Sequence, residues 1–250
     1  MMLRDNFNSL ENYQSNIDFN QNCISCDLKE YEVNITSWDD ERVYAQMNDL
    51  VRKNYKVFIS KYSAGYPVLE LIPDYLQGVQ FMKKGWNADA GYVTMLWYLS
   101  IGVMLECHKE LQQLSILLRE HSVKDKLFSF LVNNTQDYAS EKLLWTTPYA
   151  GLIEVIEFAK TNKEKAVERL QKYLKKEWYK GHSDCGWYND HKSKWGVHFG
   201  YWSFESGALV KILGLDDSSL QGLPYYPYDM VHCMEYVYFC NIIIYGTINI

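Results

Sequence analysis

Helical spacing dominates the chain. From Asp39, the apolar positions Val43, Met47, Leu50, Val51, Tyr55, Phe58, Ile59 and Tyr62 follow i, i+3, i+4, i+7, which predicts one amphipathic helix of about 25 residues. Asp39 and Asp40 suit the positive end of its dipole, and Gly65 suits a C-terminal cap. A second helix is expected from near Pro67, with Pro73 either kinking it or starting a new segment. Residues 88–119 read as a single long helix, apolar on every side up to Glu106 and amphipathic beyond it. A further helix is predicted over 122–139, opening at Ser122.

The second half repeats this style with clearer punctuation. Thr147-Pro148 looks like a hydroxyl cap followed by proline in the first helical position, opening a helix that runs to Lys160. Thr161-x-x-Glu164 has the form of a capping box for the next helix. Along that helix Ala166, Leu170, Leu174 and Trp178 form one apolar stripe, with basic residues on the other faces, so 147–180 reads as two antiparallel helices. Residues 181–200 have no clean period and read as loop. Ser203–Leu213 is expected to be a short helix closed by Gly214. Asp216–Leu220 reads as another helical turn, and Leu223–Asp229 as a rigid proline-aromatic loop. Only the tail, 237–250, with the β-branched run Ile242–Ile244, reads as a strand. The expected class is therefore all-α: a multi-helix bundle of antiparallel helix pairs with a short strand in the C-terminal tail. Its N-terminal helical region covers 1–140 and its C-terminal helical region 141–250, the two expected to form one compact unit.

Composition sharpens this picture. Aromatic residues make up 16% of the chain, with 21 Tyr and 8 Trp, a load that suits both cores and binding surfaces. The net charge of −6 excludes a non-specific nucleic-acid binder, which needs a basic stripe for phosphate contacts. Residues 1–60 carry 10 acids and 6 bases, and residues 181–250 carry 7 and 3. The stretch 141–180 is basic, with 6 acids and 9 bases. Acidic ends suit a basic partner or a solvated surface. The apolar run at 90–105 is too short to span a bilayer, so no membrane partner is expected. The polar opening MMLRDNFNSLENYQSN lacks the apolar centre of a secretory signal, and the scattered cysteines read as reduced thiols of a cytoplasmic protein.

The richest chemistry lies at 181–205, where His182, Asp184, Cys185, Asp190, His191, His198 and Glu205 stand among aromatic rings. A metal-dependent hydrolase would need three or four of these to converge. No His-Glu-x-x-His or Asp-x-Asp pattern and no i, i+4 ligand pair supports that. Cys185 next to histidines is a second candidate, as a nucleophile, without a flanking signature. Against both stands plain packing, in which the rings seat a loop and the histidines hydrogen-bond inside it.

The segment FGYWSFESGALVKILGLDDSSL from Phe199, followed by YYPYD at 225–229, closely resembles the C-terminal signature of the PoNe immunity proteins (PoNi type). WTTPYAGLIEVIEFA at 145–159 and FISKYSAGYPVLELIPDYL at 58–76 resemble that family's middle and N-terminal portions. The likeness covers roughly residues 40–232. The first 35 residues and the end after Cys233 fall outside it. The resemblance implies an all-helical, non-enzymatic protein, without cofactor or bound metal, that silences a DNase toxin delivered between competing bacteria. The partner implied is that toxin, not nucleic acid, and a homodimer is left open. Acids beside rings mark Asp184, Asp190, Glu205, Asp216 and Asp217, with Tyr201 and Trp202, as the expected toxin contacts.

Overall fold

The computed structural model describes residues 2–89, 91–132 and 140–234, and among them there is no strand. The tail expected to form one lies outside the described residues, as does 133–139. The chain forms two compact units, each assembled from three stretches. One holds Met1–Tyr98, Gln112–Val123 and Ser183–Tyr201, and the other holds Leu99–Leu111, Lys124–His182 and Trp202 onward.

In the first unit, α1 spans Leu10–Asn34, where the sequence reading placed no element. Its signal is thin but real. The Ser9 hydroxyl accepts from the Asn12 N–H at 3.1 Å, and Tyr13, Ile17 and Ile24 recur on one face as its buried residues. The α2 helix, Asp40–Ala64, has the expected limits, with Asp39 accepting from the Arg42 N–H at 2.8 Å and Gly65 at φ 92° closing it. A 3₁₀ turn, Val68–Leu71, precedes α3, Ile72–Gly85, so Pro73 begins a new helix instead of kinking an old one. The core between α1, α2 and α3 holds Tyr13, Ile17, Leu50, Phe58, Tyr75 and Met82, all nearly or wholly buried.

The long helix expected over 88–119 is two helices, α4 (Tyr92–Met104) and α5 (His108–Glu120). Glu106 adopts φ 56° between them. The Cys107 N–H bonds the Gly102 carbonyl at 2.9 Å and the Glu106 N–H bonds that of Val103 at 3.3 Å, the paired bonds of a left-handed helix stop. Glutamate is a good helix former, so nothing in the sequence marks it as the stop. Ser122, expected to open a helix, sits at φ 53°, and α6 runs from Lys126 to Leu131. Its cap is the buried Asp125, whose carboxylate accepts from the N–H groups of Leu127, Phe128 and Leu144 at 2.9, 3.1 and 2.7 Å.

In the second unit the expected antiparallel pair is present as α7 (Ala150–Ala159) and α8 (Lys163–Tyr173). Both start later than predicted. The Ala150 N–H is the one that bonds back to Thr146, and Asn162, not Thr161, caps α8 by accepting from the Lys165 N–H at 2.7 Å. Beyond Tyr173 the helix continues through a π-type turn, Leu174–Trp178, and every member of the predicted stripe is at most 1% exposed. The next helix, α9, spans Phe204–Leu213, is buried from Phe204 to Val210, and ends at Gly214 with φ 57°. Residues 228–234 are helical, so the proline-aromatic loop is shorter than expected. Among the described residues no helix is long and apolar enough to cross a membrane.

Close helix approach gives a test of this packing. A Cβ placed on Gly85 would strike the backbone of Met47 and Asn48 on α2, which cannot rotate away. Gly85→Ala should therefore cost about 1–3 kcal/mol, overriding the gain of about 1 kcal/mol in helix propensity. Gly186→Ala, with nothing within 4 Å of the added methyl, should leave the urea midpoint nearly unchanged.

Candidate functional site

The signature residues make three hydrogen-bonded clusters. In the second unit the fully buried Glu205 lies in the first turn of α9. Its Oε1 accepts from the Trp178 indole N–H at 2.6 Å and from the Ser203 hydroxyl at 2.8 Å, and Ser203 also meets the Ser206 hydroxyl at 2.7 Å. His182 completes the wall. Its Nδ1 lies 2.6 Å from the Trp178 carbonyl, which can only accept, so Nδ1 carries a proton, and Nε2 pairs with the Tyr149 hydroxyl at 2.8 Å. Trp178 packs on the His182 ring at 5.0 Å and on Tyr225 at 4.9 Å, and Tyr225 stacks in turn on Tyr179 at 5.5 Å.

The second cluster joins two pieces of the signature. Asp217, from LDDSSL, accepts from the Tyr226 hydroxyl, from YYPYD, at 2.5 Å and lies 2.9 Å from His232 Nε2. These bonds tie the two motifs to each other in the fold.

The third cluster lies in the first unit. His198, 1% exposed, sits between two carboxylates, with Nδ1 at 2.5 Å from Asp190 and Nε2 at 3.2 Å from Asp5. Tyr201 donates its hydroxyl to Asp190 at 2.8 Å and its backbone N–H to Asp5 at 3.2 Å, and Asp5 also accepts from the Phe7 N–H at 2.7 Å. Burial alone would depress the His198 pKa, but the hydrogen bonds and charges of Asp190 and Asp5 outweigh it and lift the ring to about 9. Asp5 shows the converse: burial pushes up, and His198 with the two backbone N–H donors pulls its carboxyl below the ordinary value of 3.8. Burial, with the charge of His198 next, lowers the pKa of neighbouring His191.

Solvent exposure sorts the expected contacts. Asp184 and Asp216 are exposed, and Asp190 is largely covered, with 11% of its side chain accessible. Tyr201, Trp202, Glu205 and Asp217 are buried at 2, 6, 0 and 4% exposure. These four are therefore placed as internal supports of the fold. Among the described residues no group of three or more His, Cys, Asp or Glu is placed to hold a metal ion. The Cys185 thiol is pushed up to about 11 by burial and by the adjacent Asp184, the reverse of what a nucleophile needs.

Sequence reasoning missed Asp5 and Tyr149. Asp5 lies 193 positions from the histidine it serves, and no local pattern announces it. The Tyr149–His182 pair spans 33 positions, and only the apolar register of α7 and α8 hinted that they meet.

Two measurements check these assignments. Glu205→Ala should lower stability by about 2–5 kcal/mol, because the indole N–H and a buried hydroxyl lose their acceptor. Unchanged urea unfolding would refute the internal role. For His198 the raised pKa fixes the sign: its stabilisation is complete below pH 6.5 and is lost as pH rises towards about 9. Asp5, with a lowered pKa, contributes fully above pH 3.8 and loses its share as pH falls. Wild-type stability should thus decline by about 2 kcal/mol between pH 6.5 and 9. Asp190→Asn should flatten that slope.

Residues 4–116 match the model for the PoNe immunity protein (PoNi) N-terminal region, and residues 123–230 match that for the PoNi C-terminal region. The N-terminal match takes in α1, which the resemblance in the sequence had left outside. Among curated proteins none matches the chain by sequence. The fold is similar to the crystal structure of protein PA2201 from Pseudomonas aeruginosa, with a TM-score of 0.71 at 17% identity, over 92% of this chain and 90% of that one. With both regions matched and the helical architecture in place, the chain belongs to the PoNe immunity protein family.

Proposed function

We propose that this immunity protein neutralises a DNase toxin by binding it as a folded protein, and that it carries out no chemistry of its own. The match to the family over residues 4–116 and 123–230 carries this reading. The cognate toxin is a nuclease exchanged between competing bacteria, met in the cytoplasm before it reaches DNA. The net charge of −6, concentrated towards the two ends of the chain, supports it physically. A nuclease must present positive charge to phosphates, and an acidic protein is steered to the same surface. The polar groups of the signature support it as well, since they are spent on internal hydrogen bonds. Of the expected contacts, Asp184 and Asp216 keep their carboxylates in solvent and remain candidates for the toxin surface, with Asp190 at their margin.

The test is co-expression with a secreted nuclease toxin sought among the neighbouring genes. Growth should be restored, and the purified pair should form a complex with no turnover of toxin or DNA by the immunity protein. Persistent toxicity despite good expression would refute neutralisation. Within a working pair, Asp184→Lys and Asp216→Lys should slow association by about threefold to tenfold and leave the melting temperature within about 2 °C, as expected for exposed rim charges.

A further inference from the structure

We propose that the outer face of α1 together with the loop 193–197 is the surface that grips the toxin, a cationic partner with apolar recesses; this rests on the neutralisation reading above. Along α1, Glu11, Ser15 and Phe19 form one i, i+4, i+8 ridge, and all three are exposed. The neighbouring ridge, Asn8, Asn12 and Asn16, clamps the loop. The amides of Asn8 and Asn16 donate to the Gly196 carbonyl, both at 3.0 Å, and to the His198 carbonyl at 2.8 and 3.2 Å. Gly196, at φ 61°, leaves no room for a Cβ against Asn12. The loop backbone is therefore fixed on α1 while its flanking side chains stay in solvent.

Those side chains are Trp195, 76% exposed, and Val197, 48% exposed, on a loop tied to Asn16, three residues before Phe19, itself 67% exposed. Single exposed apolar residues are ordinary, but concentration is not. Of the twelve large hydrophobics exposed among the described residues, Phe7, Leu10, Phe19, Trp195 and Val197 lie on the first half of α1, just before it, or on this loop. A rigidly held tryptophan is also the commonest kind of binding anchor.

Charge selects the occupant. The α1 segment carries Glu11, Asp18, Asp27, Glu30 and Glu32 against Lys29, a net −4 from five acids and one base. Asp27 and Glu30 are engaged by Lys53 and Arg42 of α2, while Glu11 and Asp18 project from the exposed face that bears Phe19. The α1 segment keeps a net negative charge beside exposed rings, while Lys194 lies 4.8 Å over the Trp195 ring; the helix charge suits a basic protein surface with pockets, and neither a bilayer nor DNA, whose phosphates it would repel.

The experiment uses the full chain and the catalytically inactivated nuclease domain of the toxin that it neutralises in co-expression, by calorimetry at two salt concentrations. Trp195→Ala and Phe19→Ala should each weaken binding by at least about 30-fold, with unchanged melting temperature, because both side chains stand outside the core. The double variant Glu11→Lys, Asp18→Lys should weaken binding and flatten its salt dependence. Wild-type binding with both aromatic variants within about threefold of it would overturn the assignment of the surface and leave neutralisation intact. Absence of wild-type binding would overturn both.

Discussion

A carboxylate with no access to water survives folding only if hydrogen-bond donors arrive at the same depth, and each unit of this protein is organised around meeting that requirement. Glu205 fixes where the Trp178 indole and the Ser203 hydroxyl must lie, which ties the end of the α8 helical segment to the start of α9. Asp217 fastens the turn after α9 to the proline-aromatic segment. Asp125 caps α6 and holds the backbone at Leu144. Asp5 and Asp190 enclose a charged histidine and so attach the N-terminal segment to the loop 183–201. Each bond is short-range, yet each joins stretches that the apolar pattern alone would leave free to slide.

This separation of roles bears on how an immunity protein works. Groups that hold the fold are withdrawn from solvent, where salt and competing water cannot loosen them. Recognition of a nuclease needs charges that remain in solvent, reach a partner through the ionic atmosphere, and change encounter rate more than stability. The same residue cannot serve both ends. Asp216 and Asp217 are adjacent in sequence yet differ in exposure: the first stays in solvent and accepts from the Ser218 N–H, and the second is buried against Tyr226 and His232.

Much of the helical plan was legible in the sequence, because amphipathic spacing reports burial directly. The limits of α2 and α9, the α7–α8 pair and the apolar stripe ending at Trp178 follow from periodicity and capping. The failures have equally specific causes. The α1 helix escaped notice because its inner face is narrow and its remaining positions are almost entirely polar. The break at Glu106 escaped because a single residue in the left-handed region leaves the apolar period on either side intact. For the candidate site, the sequence located the motif and not its orientation: aromatic and acidic residues in GYWSFE have the composition of a binding surface and the exposure of a core.

Unaided, the sequence determined that the chain is helical, where most of its apolar faces lie, that it is acidic, and which family its signature resembles. These depend on residue types and short spacings, which any folded conformation must respect. Only the tertiary structure decided that Glu205 and Asp217 point inward, that His198 carries its charge between Asp5 and Asp190, and that Trp195 stands in solvent. The reason is that burial is not a property of a residue. It is set by which distant segments arrive to cover it and whether they bring the donors it needs, and spacing along the chain does not record that.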